Sequence, residues 1–168
     1  MQTNNSERHQ ENTCGLLAEY LQAHKEALIG EWLAQARKDS DVPSDPLTKL
    51  EIIDHVPKII DAMILALRNR CNDTSMEQVQ EVTARHTIIR WVQNYDVHAV
   101  LREISILRAQ FIRHLLAFEN EHPDFRNEAR LFNRTTIHSI LDDVVMDATD
   151  TFLKLRAHSG GDQLTGRT

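Results

Sequence analysis

Nine histidines in 168 residues raise the question of what they bind or catalyse. No two are four residues apart, so no helix presents a two-histidine chelate. Glu119-x-x-His122 matches half of a carboxylate-bridged di-iron motif, but it occurs once and beside a proline turn. His138 and Asp142 share a helix face and read as a solvated pair. His55 and His86 differ from these, because each lies at or near an apolar helix face. The ordinary reading is a core histidine bonded to a backbone carbonyl or to a carboxylate such as Asp54. The functional readings are a polar handle in a sensory cavity, an axial haem ligand, or a switch titrating near neutral pH. No glycine-rich phosphate loop and no set of nucleophile, base or paired carboxylates is present. The sequence therefore gives no catalytic residue and no metal ligand, and the chain reads as no enzyme.

The elements that position His86 lie in the stretch from His86 to Phe118. It holds the end of one helix, a corner at Gln93-Asn94-Tyr95-Asp96 and most of a second helix. Asp96 is placed to cap the second helix by accepting first-turn N–H groups. Val97, Val100, Leu101, Ile104, Leu107, Phe111 and Leu115 recur at steps of three and four, which requires one buried face. Arg102, Glu103, Gln110, Arg113 and His114 are expected on the opposite, solvated side. Arg108 falls on the border, where its stem packs and its head snorkels, or where it faces a pocket.

Hydrophobic residues make up 41% and charged residues 26% of the chain, an ordinary globular composition. Gly15 and Gly30 are the only glycines before Gly160, which favours long helices over a turn-rich sheet protein. A net charge of −6 argues against nucleic-acid binding, which needs a concentrated basic face. No run of 18 apolar residues exists and the polar start lacks a signal-peptide core, so no membrane partner is expected. Cys14 and Cys71 lack metal or redox spacing and read as free thiols of a cytoplasmic protein.

Residues 1–12 read as a mobile leader, 13–158 as one domain and 159–168 as a flexible linker. A first helix is expected from Gly15 to about Asp39, bent or divided at Gly30. After a turn-forming Asp39–Pro46, a short helix runs to about Asp54, and a new one carries Pro57 in its first turn. Ser75 with Gln78 has the form of a capping box for a helix from Met76 to Gln93. That helix is expected to bury Val79, Val82, Ile89 and Val92. The last helix, about Phe125 to His158, carries a seam of Arg134, Ile137, Leu141, Val144, Ala148, Thr151 and Leu155. The four-three alternation is the coiled-coil period. Ile137, Leu141, Val144, Ala148 and Leu155 are thus the expected dimer and output residues.

Several of these positions together resemble a known family. Glu31-Trp32-Leu33, Leu47-Thr48, Asp54-His55, Pro57, His86, Arg90-Trp91, Tyr95-Asp96, Leu101-Arg102-Glu103 and Leu107-Arg108 are similar in order and spacing to the N-terminal domain of RsbR-type stressosome co-antagonists. That domain also occurs at the N-terminus of sensor histidine kinases. The resemblance covers about Leu16 to Leu155, with Asn94 standing where glycine is expected and Ile104 where an aromatic is common. It implies an all-α, globin-like bundle of about six helices with a long C-terminal helix, dimeric and without haem or another cofactor. It also implies a sensory role, in which a small-molecule signal or docked partner is relayed through the last helix to a C-terminal output module, such as a kinase, or to a partner signalling protein. His55, His86, Arg90, Trp91 and Arg108 are the candidate sensory-cavity residues. A haem-binding gas sensor using His86 and a protein-docking scaffold are the alternatives. No kinase box follows Leu155, so an output in the same protein and action in trans both remain open.

Overall fold

The computed structural model describes residues 3–43 and 55–161. Those residues form six helices and no strand: α1 (Thr3–Ala23), α2 (Lys25–Ala36), α3 (Val56–Arg68), α4 (Asp73–Val92), α5 (Val97–Glu121) and α6 (Asn127–Gly161). The expected all-α bundle with a long last helix is what forms. None of the described helices is long and apolar enough to cross a membrane. The helix expected to end near Asp54 lies outside the described residues.

The first helical region divides at His24, not at Gly30. Gly30 sits inside α2, with open space where a side chain would go. The ring of His24 stacks on Tyr20 at 4.1 Å, and its Nδ1 lies 2.8 Å from the Tyr20 carbonyl oxygen. A side chain that competes for helical carbonyls in this way favours a break. α1 also begins at Thr3, well before Gly15, so the backbone of the expected leader is helical from that point.

Two helix ends follow the same rule. At the end of α3, Cys71 N–H donates to the Ala66 carbonyl and Arg70 N–H to that of Leu67, with Arg70 at φ 57. At the end of α4, Tyr95 N–H donates to the Arg90 carbonyl and Asn94 N–H to that of Trp91, with Asn94 at φ 62. Both are Schellman ends, which need one residue in the left-handed region. Asparagine tolerates that region better than most side chains, which accounts for Asn94 in a position suited to glycine. The next helix is capped at once in each case. Asp96 accepts from Ala99 N–H at 2.8 Å, as its position predicts. Ahead of α4 the cap is Asn72, not Ser75. Asn72 Oδ1 accepts from Ser75 N–H and Ser75 Oγ donates to the Asn72 carbonyl, both at 2.9 Å. Asparagine caps as well as serine, and here it stands in the extended conformation a cap requires.

The core is built from every helix. Trp32, Ile59, Ile60, Met63, Leu67, Phe111 and Phe118 are among its fully buried side chains. α6 packs against α1, α4 and α5, while α2 packs on α5 and α3 on α1 and α4. This placement corrects one expectation. Ile137, Leu141, Val144 and Ala148 are all 1% exposed or less, so the seam expected to meet a second copy is held inside its own chain. Only Leu155 of that set is half-buried. A helix covered by three neighbours must bury a wide stripe, and the same residues satisfy both patterns.

Candidate functional site

α4 faces the core with a polar stripe. Ser75, Val79, Thr83, His86, Thr87 and Arg90 are its buried residues, whereas Val92, expected inside, is 73% exposed. A stripe of this kind is tolerated only where partners meet it. The central partner is Glu103 of α5. Arg90 Nε donates to Glu103 Oε2 at 2.8 Å, and His86 Nε2 lies 3.2 Å from the same oxygen. All three side chains are buried. A second Arg90 nitrogen donates to Gln93 Oε1 at 2.8 Å, and the guanidinium sits over the Tyr95 ring, 4.9 Å from its centre. Trp32 of α2 donates its indole N–H to the Glu103 carbonyl at 3.1 Å. Three helices therefore converge on one glutamate.

Burial by itself would raise the Glu103 carboxyl. The hydrogen bond and charge of His86, then those of Arg90, outweigh it and hold the group below the ordinary glutamate range. His86 Nδ1 and one terminal Arg90 nitrogen are buried without a hydrogen-bond partner among the described residues. Incomplete satisfaction makes this cluster sensitive to any change at its edges.

The structure places two of the five candidate cavity residues, His86 and Arg90, in this cluster. Trp91 points elsewhere, packing edge-on against Phe152 of α6 at 4.9 Å. Trp91 and Phe152 line a surface cavity of about 430 Å³ beside the α4–α5 corner, together with Tyr95 and Val97. Asn94, Asp96 and Arg156 complete its lining. Arg108 is not there: it pairs with Asp142 across the α5–α6 contact. His55 is the residue preceding α3 and does not line the cavity. Glu103 was expected in solvent, with Gln110 and His114, and all three are buried. Their spacing of seven and four residues follows the edge of the apolar stripe. Ile106, also buried, was the available signal that this edge turns inward.

A second group gathers at the opposite end of α5. His114 is buried, with its Nε2 3.4 Å from Glu31 Oε2, and its ring lies 6.0 Å from that of His24. Tyr20, Phe118, His122 and Phe125 continue the ring contacts. Burial lowers the His114 pKa, and the Glu31 carboxylate only partly opposes it. The folded state thus prefers neutral His114. Its contribution to stability is complete above the unfolded value of about 6.5 and is lost as pH falls from there through the folded pKa. Wild type should therefore unfold at lower urea at pH 5.5 than at pH 7.5. The gap should narrow in His114→Gln; an unchanged gap would assign the slope to other groups.

The half di-iron motif dissolves in the same region. Glu119 is buried and accepts from Arg134 Nε at 2.9 Å, while His122 Nδ1 lies 2.9 Å from the Phe118 carbonyl oxygen. Among the described residues no group of three or more histidine, cysteine, aspartate or glutamate side chains is placed to hold a metal ion. Cys14 and Cys71 are free thiols; Cys14 faces Asn133 Oδ1 at 3.3 Å, and burial pushes it up to about 11.

No curated protein and no solved structure matches the chain. A family model does, over residues 26–167, from the first turn of α2 through the whole of α6. It is described as the RsbT co-antagonist protein rsbRD N-terminal domain, and it contains the Glu103 cluster, the corner and the long last helix. With most of its length inside that match, the chain belongs to the family and is a stressosome-related signalling domain.

Proposed function

We propose that this chain is a non-catalytic input domain that pairs with a second copy through the outer face of α6 and passes its state along that helix to an output protein. The observation that carries the reading is the two-sided character of α6. Its inner face is core, whereas Phe132, Met146 and Leu153, at steps of fourteen and seven, are 38%, 60% and 53% exposed on the outer face. Steps in multiples of seven keep apolar residues on one line of a supercoiled helix pair. The output is either a histidine-kinase transmitter following α6 or a separate signalling protein. The family's description as a co-antagonist domain supports a protein partner in either case.

We read the domain as haem-free. His86 Nε2 is engaged by Glu103, and His86 does not line the 430 Å³ cavity, so it offers no open axial position. Sedimentation velocity on the wild type and on Met146→Asp/Leu153→Asp tests the pairing. The wild type should sediment as a dimer at tens of micromolar or above, and the double variant as a folded monomer. A wild type that stays monomeric at the highest attainable concentration would overturn the reading.

A further inference from the structure

We propose that the cavity beside the α4–α5 corner binds a small organic acid, with a flat apolar body laid against the Trp91–Phe152 pair and a carboxylate held by Arg156. Its volume of about 430 Å³ lies within the roughly 300–1,000 Å³ usual for small-molecule sites. Its walls are aromatic: the Trp91 and Phe152 rings meet at 78°, and Tyr95 is almost fully buried behind them. Phe152 is buried and Trp91 is half-buried, so the Trp91 ring is the surface against which a flat group can lie.

The charged groups decide the polarity of the ligand. Arg156 is exposed and makes no hydrogen bond or ion pair with any described residue, so its guanidinium is available for bidentate contact with a carboxylate. Asp96 is the one carboxylate in the lining, and it already accepts from Ala99 N–H at the start of α5. The negative charge is thus held at a helix N-terminus, where it is stabilised, and the positive charge is unmatched.

The position of the cavity also matters. Its occupant would touch the corner through Tyr95, whose ring carries the Arg90 guanidinium of the buried cluster, and α6 through Phe152 and Arg156. Binding would then join the Glu103 cluster to the last helix. This step of relay rests on the input-domain reading above; the binding itself does not.

The test uses the ¹⁵N-labelled full chain with two probes of equal body and opposite charge, 3-phenylpropionate and 3-phenylpropylamine. The chain has two tryptophans. Trp91 lines the cavity, while Trp32 is buried with its N–H bonded to Glu103. Titration with 3-phenylpropionate should move the Trp91 indole signal and leave that of Trp32 in place. Arg156→Ala, a surface change that leaves packing intact, should weaken the acid by about tenfold. Arg156→Glu should reverse the preference toward the amine. An unmoved Trp91 signal, equal affinity for both probes, or an unaffected Arg156→Ala would each overturn the site. Acid binding by a chain that sediments as a monomer would keep the site and sink the input-domain reading alone.

Discussion

Glu103→Leu should destabilise the domain by about 3–5 kcal/mol, the cost of leaving a buried cation without its counter-charge. Arg90 is 1% exposed, and its remaining partners are the Gln93 side-chain oxygen and the Tyr95 ring. Neither carries a negative charge. The double variant Arg90→Met/Glu103→Leu should recover most of the loss, because a buried ion pair exchanged for apolar side chains of similar size is often near neutral. Urea midpoints with unchanged slope measure both. If the single and double variants lose the same stability, the pair is not the connection between α4 and α5 that its geometry indicates. The pH dependence adds a second readout. The folded state holds Glu103 below its unfolded value of about 4.3, so its contribution is complete above that pH and is lost as pH falls through the folded pKa. The double variant should lose less stability in acid than the wild type.

Leu141→Ala carries the second large effect, about 2–5 kcal/mol for a leucine with no exposed surface. For a domain of this size about 3 kcal/mol lowers the melting temperature by roughly 6–12 °C. The useful feature is the concentration dependence. A core residue destabilises each copy equally at any protein concentration, whereas an interface residue changes how stability rises with concentration. Thermal melts of Leu141→Ala at two concentrations twentyfold apart should therefore shift from wild type by the same amount. A deficit that grows with concentration would return Leu141 to the interface between copies.

The two cases show what the sequence carries and what it does not. Periodicity located α5 and α6, because long amphipathic stripes fix their own faces; Asp96 as a cap and Pro57 in a first turn were legible for equally local reasons. His86 stood out because a histidine on an apolar stripe is unusual, whereas Arg90 and Trp91 were marked only by the family resemblance. Glu103 did not stand out. Whether a carboxylate at the edge of a stripe meets solvent or an arginine depends on α4, and that is a tertiary fact. The seam of α6 failed in the opposite direction. A heptad pattern states only that a face is covered, and three helices of the same chain cover this one before any second copy can. The Trp91–Phe152 cavity lay beyond sequence reasoning altogether, since its two walls are 61 positions apart.

The continuity of α6 has a mechanical meaning. A rod of 35 residues is about 50 Å long and turns by about 100° per residue, with no proline between its ends to absorb a twist. Its azimuth is fixed where Ile137, Leu141 and Val144 mesh with the core. A rotation of a few degrees imposed there must reappear at Leu153 and Leu155, about three turns further along, with the same sign and nearly the same size. If α6 carries the relay proposed above, what it delivers is an angle.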